Sequence, residues 1–362
     1  REKVFNRRLQ EVIDFHNGPP RTWSMGITKF MDFTESEFNA VLGYRGRRAV
    51  TAPSLLSVER QKAFRGRRAG SSLLSMERSG NTQQDLLPKA VNTLREGSRL
   101  ARIIRDQGGC GSCWAEAATS VLEARVENNQ SMTDVLVAQM KASKKAPIPT
   151  LSSQTVVSCS PNPRHCGGSG ACGGATAELA YEMIKERGLP LAITWPYKSA
   201  SGTAPVCDTS VFSKAVIGIE GYVVLPSNKV EPLKRALIET GGPIAITAAA
   251  SQWAYYDHGI FSDVSHGTTG DFTVNHAVTL VGYKDPEPND MGYWVVKNSW
   301  GESWGENGYI RIEMKENEEQ HCGWDYNPKE GIACDGDPDK AWVCGTCGIL
   351  YDSTYPTGVH MR

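Results

Sequence analysis

The amino-acid sequence predicts an α+β protein built as two lobes. Helical patterns dominate the first half of the compact region, and short apolar runs separated by glycine-rich turns dominate the second half. Helices that precede strands along the chain favour segregated layers over an alternating parallel sheet. A cleft between two such lobes is a natural binding site.

The predicted elements follow in chain order. Residues 1–43 interleave charged and apolar side chains, which is typical of amphipathic helices. A helix is predicted to begin near Ser112 and to continue through Leu122, and a second one fits Ala175–Glu186, before a glycine and a proline stop it. Residues 128–150 are polar and rich in lysine, which predicts a surface insertion. Strands are predicted over five apolar runs, namely Ala215–Ile219, Pro243–Ala248, Ala277–Tyr283, Tyr293–Lys297 and Tyr309–Ile312.

Composition divides the chain into three parts, predicted at residues 1–43, 44–86 and 87–362. The middle part is basic and contains a short tandem duplication, in which Arg45-Gly-Arg-Arg recurs as Arg65-Gly-Arg-Arg. We expect an exposed linker there, prone to cleavage after arginine.

Whole-chain properties exclude several classes of protein. The chain has 362 residues and a net charge of −1, which gives no reason to expect a nucleic-acid partner. No apolar run approaches the ~20 residues that a membrane span requires. Ten cysteines indicate an oxidising compartment. The two C-x-x-C pairs, which end at Cys113 and Cys347, could instead bind zinc. They lie far apart in the sequence, and nothing else in the chain resembles a compact zinc ribbon. No metal or cofactor is therefore expected.

The segment Gln107-Gly-Gly-Cys110-Gly-Ser-Cys113-Trp has the composition of a reactive thiol site. Cys113 stands at the predicted start of a helix, where the positive end of the helix dipole favours the thiolate. The glycines permit a tight turn and the close approach of a substrate backbone. The Gln107 side-chain N–H and the Cys113 backbone N–H are suited to bind a developing oxyanion.

A thiolate needs a partner that keeps it ionised and later protonates a leaving amine. His276 stands at the head of an apolar strand, and Asn298 follows a later strand with an amide oxygen that can accept the imidazole N–H. Trp300 can shield that hydrogen bond from water. The order Cys, His, Asn along the chain is what a thiolate–imidazolium pair with an orienting amide requires.

At these residues the sequence resembles the papain family of cysteine proteases, nearest its cathepsin L-like branch, over residues 1–43 and 87–356. The family's oxyanion glutamine and catalytic triad fall on Gln107, Cys113, His276 and Asn298. The resemblance implies a papain-like fold of a helical lobe and a β-barrel-like lobe, with the active-site cleft between them and a helical propeptide before them. It also implies a cysteine endopeptidase zymogen that hydrolyses protein and peptide substrates as a monomer without a cofactor, in a lysosome, in a vacuole or after secretion.

Residues 1–43 resemble the family's inhibitory prosegment, with its long helix truncated at the start. Gly26-Ile-Thr-Lys-Phe-Met-Asp32 matches the Gly-x-Asn-x-Phe-x-Asp motif of that prosegment except at Thr28. The resemblance implies that this segment runs through the cleft and blocks Cys113. We expect acid to release it by protonating carboxylates such as Asp32, Glu35 and Glu37.

The resemblance also assigns substrate-binding positions. The loop Gly173, Gly174 and Ala175 is expected to pair with the substrate backbone, beside Trp300. Asp352 is expected at the floor of the pocket for the second residue before the scissile bond. An acidic floor predicts that arginine is accepted there as well as leucine, because a carboxylate can bind a guanidinium through charge-assisted hydrogen bonds. The alternative is that Asp352 points to solvent at the pocket rim.

The cysteines are expected to form a framework of disulfides. The resemblance implies the pairs Cys110–Cys172 and Cys159–Cys207. Apart from Cys113, five cysteines then remain, and because five is odd at least one should be free or pair between chains. They are Cys166, Cys322, Cys334, Cys344 and Cys347. Pairing is expected among the last four, in and beside an insertion at residues 317–346, with the connectivity left open.

Two positions depart from the family pattern. Glu116 stands where the family usually has a core aromatic residue, so its carboxylate should find a partner or face solvent. The segment after Gly259 lacks the cysteine that usually pairs with the position of Cys347.

Two other functions stay open at this point. A thiol–disulfide oxidoreductase would use Cys110 and Cys113 as a redox pair, but it leaves His276 and Asn298 unexplained, and no βαβ pattern surrounds the motif. A catalytically inactive homologue would act as a binding protein, although the presence of all four polar catalytic groups argues against it.

Overall fold

A computed structural model of the chain confirms the α+β prediction. The described residues are 1–43, 87–94, 97–143, 148–264 and 270–362. The predicted linker at 44–86, with its arginine-rich duplication, lies outside these residues, and the three predicted boundaries stay predictions.

Seven helices and fourteen strands organise the described residues. The helices are α1 (Glu2–Asn17), α2 (Glu35–Val41), α3 (Cys113–Glu127), α4 (Gln130–Ser143), α5 (Ser153–Cys159), α6 (Ala177–Arg187) and α7 (Val230–Thr240). The strands are β1 (Trp23–Met25), β2 (Ala90–Asn92), β3 (Leu189–Pro190), β4 (Ala215–Gly218), β5 (Gly221–Val224), β6 (Ile244–Ala248), β7 (Tyr256–Phe261), β8 (His276–Lys284), β9 (Gly292–Lys297), β10 (Tyr309–Met314), β11 (Cys322–Asp325), β12 (Ala341–Cys344), β13 (Ser353–Thr357) and β14 (His360–Met361). Across the described part of the chain, no helix is both long enough and apolar enough to cross a membrane.

The main sheet forms the β lobe and fixes one end of the site. Its strand order is β1-β7-β10-β9-β8-β6-β13-β5, with β2 beside β8. Strands β8 and β9 are antiparallel, and the pairing of Thr279 with Lys297 brings the start of β8 close to the chain that follows β9. The predicted residues His276 and Asn298 therefore meet at the same end of the sheet.

The helical lobe is built around α3. Its residues are buried almost without interruption from Cys113 to Val126, because small side chains alternate with larger apolar ones. Its buried carboxylates, Glu116 and Glu123, are paired with Arg105, and α3 packs against α5, α6 and β8. The first turn of α3 therefore faces the β lobe.

Three details differ from the sequence prediction. Helix α6 begins at Ala177 rather than Ala175, because Thr176 has an extended backbone conformation. Residues 128–150 are not simply a surface insertion, since they contain α4, whose Leu136 is completely buried. Helix α7 was not predicted, although its Leu233 and Leu237 face the core.

The prosegment packs on the β lobe as α1, β1 and α2. Strand β1 extends the main sheet by pairing antiparallel with β7, so that Trp23 lies opposite Gly259. The rings of Phe30 and Phe38 lie 5.0 and 5.6 Å from the ring of Trp300. Aromatic contacts of this kind, with the strand pairing, attach the segment to the β lobe.

The disulfides agree with the expectation in part. Both implied pairs are formed, Cys110–Cys172 and Cys159–Cys207. Cys322–Cys344 closes the β11–β12 hairpin, and Cys347 is a free, buried thiol, as the odd number required. The expectation that Cys334 pairs within the last four was wrong, because it is bonded to Cys166 of the helical lobe. The segment between β11 and β12 therefore reaches the helical lobe to form this disulfide.

Candidate active site

Cys113 is the first residue of α3 and lies against the start of β8. Backbone N–H groups of Ala277, Trp114 and Cys113 itself point to its sulfur. The thiol is nevertheless buried, and burial raises the pKa of Cys113 to about 11. The expected thiolate therefore does not form in this prosegment-bound chain, because loss of hydration outweighs the helix dipole, which contributes only about 0.3–1 kcal/mol at exposed sites.

His276 is held in one orientation by Asn298. Its Nε2 lies 2.8 Å from Asn298 Oδ1. The same oxygen accepts the backbone N–H of Ser299 at 2.8 Å, so it is an acceptor and Nε2 carries the proton. The other ring nitrogen, Nδ1, is buried and has no hydrogen-bond partner among the described residues. Its lone pair therefore remains available to take a proton.

Trp300 covers this hydrogen bond, as expected. Its ring is completely buried and stacks on the His276 ring at 4.7 Å. Burial lowers the pKa of His276 to about 4, and the Asn298 hydrogen bond only partly opposes that shift. At neutral pH, burial therefore keeps the Cys113 thiol and the His276 imidazole in their neutral forms in this chain, and no hydrogen bond joins the sulfur to Nδ1.

The Gln107 side chain is fully buried, and its amide N–H groups already donate hydrogen bonds. Its Nε2 donates to the carbonyl oxygen of Val41 at 2.7 Å and to that of Cys110 at 2.8 Å. Its Oε1 accepts the Ser299 hydroxyl at 2.6 Å, which fixes the amide orientation. A prosegment carbonyl therefore occupies the donor that is predicted to serve an oxyanion.

The prosegment backbone continues along the predicted substrate positions. A Cβ atom at Gly111 would lie 2.4 Å from Gly43 Cα, and one at Gly174 would lie 2.9 Å from the Gly43 carbonyl oxygen. Neither site could carry a side chain while the prosegment is bound. The segment Val41–Gly43 thus covers both the oxyanion position and the substrate loop.

Two of the predicted substrate-loop glycines use peptide groups internally. Gly173 donates its N–H to Gly170 at 2.8 Å and accepts the Ser169 N–H at 3.0 Å. The Gly174 carbonyl accepts the Gly170 N–H at 2.7 Å. Substrate pairing through these groups would require this turn to open, whereas the Ala175 peptide is not part of the turn.

Asp352 has an acidic neighbour that sequence analysis missed. Its carboxyl is half-buried and hydrogen-bonded to Glu178 in the first turn of α6. Burial and the Glu178 charge hold the pKa of Asp352 well above its ordinary value, and burial also raises the pKa of Glu178. Two carboxyl groups in contact titrate as a pair, and each disfavours ionisation of the other. The only feature of the sequence that points to Glu178 is that it lies three residues after Ala175, a predicted substrate-loop residue.

Glu116 is buried and paired, as its position required. Its carboxylate lies 3.5 Å from the Arg105 guanidinium, which also contacts Glu123. The Glu123 carboxylate in turn accepts the Leu151 backbone N–H at 2.8 Å. This ion cluster ties α3 to the chain before the Gln107 segment, and it satisfies a charge that would be costly alone.

Comparisons with known proteins agree with this geometry. A family model described as papain family cysteine protease matches residues 87–331. Vignain of Vigna mungo is 30% identical over 361 residues, which cover 98% of this chain and 80% of the relative. The KDEL-tailed cysteine endopeptidase CEP2 of Arabidopsis thaliana is 30% identical over 360 residues, with the same coverage of 98% and 80%.

Solved structures of proforms share the fold. The recombinant stem bromelain precursor superposes with a TM-score of 0.61 at 25% identity, over 98% of this chain and 90% of its own. Procathepsin L 3 from the larval midgut of Tenebrio molitor has a TM-score of 0.62 at 23% identity, with the same coverage of 98% and 90%. This chain therefore belongs to the papain family of cysteine proteases and is the zymogen of a cysteine endopeptidase.

Proposed function

We propose that Cys113 is the nucleophile, His276 the acid–base and Asn298 the orienting residue of this endopeptidase. The observation that carries the proposal is the hydrogen bond from His276 Nε2 to Asn298 Oδ1, because it leaves Nδ1 unprotonated on the opposite edge of the ring. An imidazole held in this tautomer can accept a proton from the Cys113 thiol.

The reaction then proceeds in two halves. The Cys113 thiolate attacks the carbonyl carbon of the scissile bond, and the oxyanion receives hydrogen bonds from Gln107 Nε2 and the Cys113 N–H. His276 gives its Nδ1 proton to the leaving amine, and a thioester remains on the sulfur. Water hydrolyses the thioester while His276 takes one of its protons, and the carboxylic acid leaves.

Three variants test these roles. Cys113→Ala should abolish hydrolysis and leave the fold intact, because it removes one sulfur atom. His276→Ala should cost nearly as much, because residues that act as a unit are lost together. Asn298→Ala should cost less, because Asn298 orients the base without reacting. If the Cys113→Ala variant kept more than a few per cent of the wild-type kcat/KM, Cys113 could not be the nucleophile. An epoxide inhibitor of cysteine proteases should label Cys113 only.

The prosegment serves as an intramolecular inhibitor in this proposal. Val41 blocks Gln107, and Gly43 fills the space between Gly111 and Gly174. The full chain should therefore be nearly inactive at neutral pH and should process itself after acidification. Activity is measured before and after incubation at pH 4, with N-terminal sequencing of the product, and undiminished activity of the full chain at pH 7 would contradict the inhibitory role.

The acidic pair Asp352 and Glu178 supports arginine as an accepted second residue before the scissile bond. Two carboxyl groups in a half-buried pocket can bind a guanidinium through charge-assisted hydrogen bonds, and they disfavour a purely aliphatic side chain. We expect arginine to be cleaved at a rate within about tenfold of leucine, a gap of ~1.4 kcal/mol.

Matched variants test this specificity. Asp352→Ala and Glu178→Gln should each lower kcat/KM for the arginine substrate and leave the leucine substrate unchanged or faster. Glu182→Gln is the control, because Glu182 lies one turn along α6 and its carboxylate accepts the Tyr222 hydroxyl at 2.8 Å instead of joining the pair. Equal losses for both substrates would show that the pair does not read the side chain.

We also propose that the enzyme works as a monomer on protein and peptide substrates in a lysosomal, vacuolar or extracellular compartment. Four disulfides among the described residues support an oxidising route. Sedimentation of the proform and fractionation of cells that produce it are the corresponding measurements.

A further inference from the structure

The insertion at residues 317–346 places a short segment across the cleft. It first forms the β11–β12 hairpin on the β lobe, and residues 328–337 leave the hairpin between its two strands. We name these residues the strap. Its start is a tight turn, in which the Pro328 carbonyl accepts the N–H groups of Ile332 at 2.8 Å and Ala333 at 2.7 Å.

The strap is attached to the β lobe two residues before His276. The backbone of Gly331 lies against the Val274 carbonyl, since a Cβ at Gly331 would come within 2.1 Å of that oxygen. The Val274 N–H donates to the buried Asp325 carboxylate of the hairpin at 3.1 Å. The Ile332 side chain packs on the apolar cluster that contains Val274. The insertion therefore covers both polar groups of the Val274 backbone.

The strap is attached to the helical lobe through the loop before Cys172. Cys334 is disulfide-bonded to Cys166, and the Gly167 N–H donates to the Ala333 carbonyl at 3.0 Å. The Asp335 N–H donates to the Arg164 carbonyl at 2.7 Å. Ion pairs of Arg164 and its neighbour with strap aspartates are exposed and contribute little, so the disulfide is the main fixture.

The backbone of Gly331 fills the space between the β-lobe wall at Val274 and the helical-lobe wall at Gly167. A Cβ at Gly167 would lie 2.8 Å from the Gly331 carbonyl oxygen and 3.0 Å from the Ala175 carbonyl oxygen. Gly331 thus contacts the wall that leads to His276 and the wall that leads to Ala175. On the same side, Tyr351, which precedes Asp352, packs on the cluster that holds Ile332.

We propose that the strap ends the cleft just beyond the position of the second residue before the scissile bond. The enzyme then has a further activity beside endopeptidase cleavage, the preferred release of dipeptides from free amino ends, because a third residue would have to pass the strap at Gly331 or displace it. The bond that breaks and the groups that react are those of the proposed hydrolysis at Cys113, on which this inference rests.

Two fluorogenic substrates measure the effect on the acid-activated protein. One is Leu-Arg-coumarylamide with a free amino end, and the other is the same dipeptide extended by acetyl-Gly-Gly. We expect kcat/KM for the free dipeptide to be at least tenfold higher than for the extended substrate. Equal or faster turnover of the extended substrate would overturn the inference.

A double variant tests whether the strap causes the preference. Cys166→Ser with Cys334→Ser releases the strap from the helical lobe, and it should raise kcat/KM for the extended substrate at least fivefold while the free dipeptide changes less than twofold. Cys322→Ser with Cys344→Ser is the control, because it opens the hairpin disulfide and leaves the cross-lobe bond, so the substrate ratio should not change. If the released variant does not fold, the substrate ratio of the unmodified protein decides alone. Failure to hydrolyse either substrate with Cys113 unlabelled would overturn the proposed function as well.

Discussion

Replacing His276 with glutamine should remove much of the acid sensitivity of prosegment binding. In the proform, burial holds the pKa of His276 at about 4, below its ordinary value of 6.5. The prosegment rings Phe30 and Phe38 pack on Trp300, which stacks on His276, so we expect their departure to admit water to the imidazole and to bring its pKa back towards that value. Between pH 6.5 and about 4 the released state therefore binds a proton that the proform does not, and acidification favours release.

The size of this effect follows from the two pKa values. Each pKa unit corresponds to about 1.4 kcal/mol, so acidification across this range weakens prosegment binding by up to about 3 kcal/mol, or roughly a hundredfold. The carboxylate Glu37, which was expected to act as a trigger, is less suited. It hydrogen-bonds Arg1 and Thr34 within the prosegment, and its pKa is lowered, chiefly by the Thr34 backbone N–H. The stability that it contributes is therefore lost below the ordinary pKa of a glutamate, and its hydrogen bonds hold the prosegment to itself rather than to the catalytic residues.

Hydrogen exchange of the β1 amides measures prosegment opening without the need for catalysis. The comparison uses Cys113→Ala, which cannot process itself, against Cys113→Ala with His276→Gln. From pH 7 to pH 4 the first protein should lose about a hundredfold more protection than the second, after correction for intrinsic exchange. Glutamine can keep the hydrogen bond to Asn298, so the two proteins should be equally protected at pH 7. The same pH dependence in both proteins would refute the linkage.

Three further predictions concern the prosegment and the thiols. Phe30→Ala should speed epoxide labelling of Cys113 at pH 7 at least tenfold, because removing a buried phenyl ring costs about 3–5 kcal/mol and this ring packs on Trp300. The control variant Ile27→Ala should not change the labelling rate, because Ile27 is 68% exposed. Alkylation of Cys113 in the proform should rise with pH towards about 11, and the midpoint should fall after prosegment removal, as stopped-time mass spectrometry can show. Mapping of unreduced peptides should find Cys347 as a free thiol that reacts only after unfolding, and a disulfide at Cys347 would contradict the structure.

The proposed central residues could be named from the sequence because each lies in a short motif. Cys113 is marked by its glycines and its helix start, and Asn298 and Trp300 lie two residues apart. The antiparallel pairing of β8 with β9, which was not predicted, brings His276 to Asn298 and Trp300. Residues whose proposed role is marked by adjacent residues in the sequence could therefore be predicted.

Contacts between distant positions could not be predicted in the same way. Cys166 and Cys334 are 168 residues apart, and spacing alone cannot choose between the possible partners of Cys334. Glu178 gains its meaning only when α6 is placed beside Asp352. The raised pKa of Cys113 could not be predicted for a similar reason, because the local helix dipole is visible in the sequence and the burial of the thiol is not.

The neutral state of Cys113 has a consequence for how the chain acquires its disulfides. Thiol–disulfide exchange requires a thiolate, and Cys113 lies only three residues from Cys110, which must find Cys172. A thiol with a pKa of about 11 is protonated at the pH of a secretory compartment, so it neither attacks the Cys110–Cys172 bond nor is readily oxidised. We therefore expect the folded proform to protect Cys113 from exchange and oxidation, and we expect a reactive sulfur only after the prosegment has left.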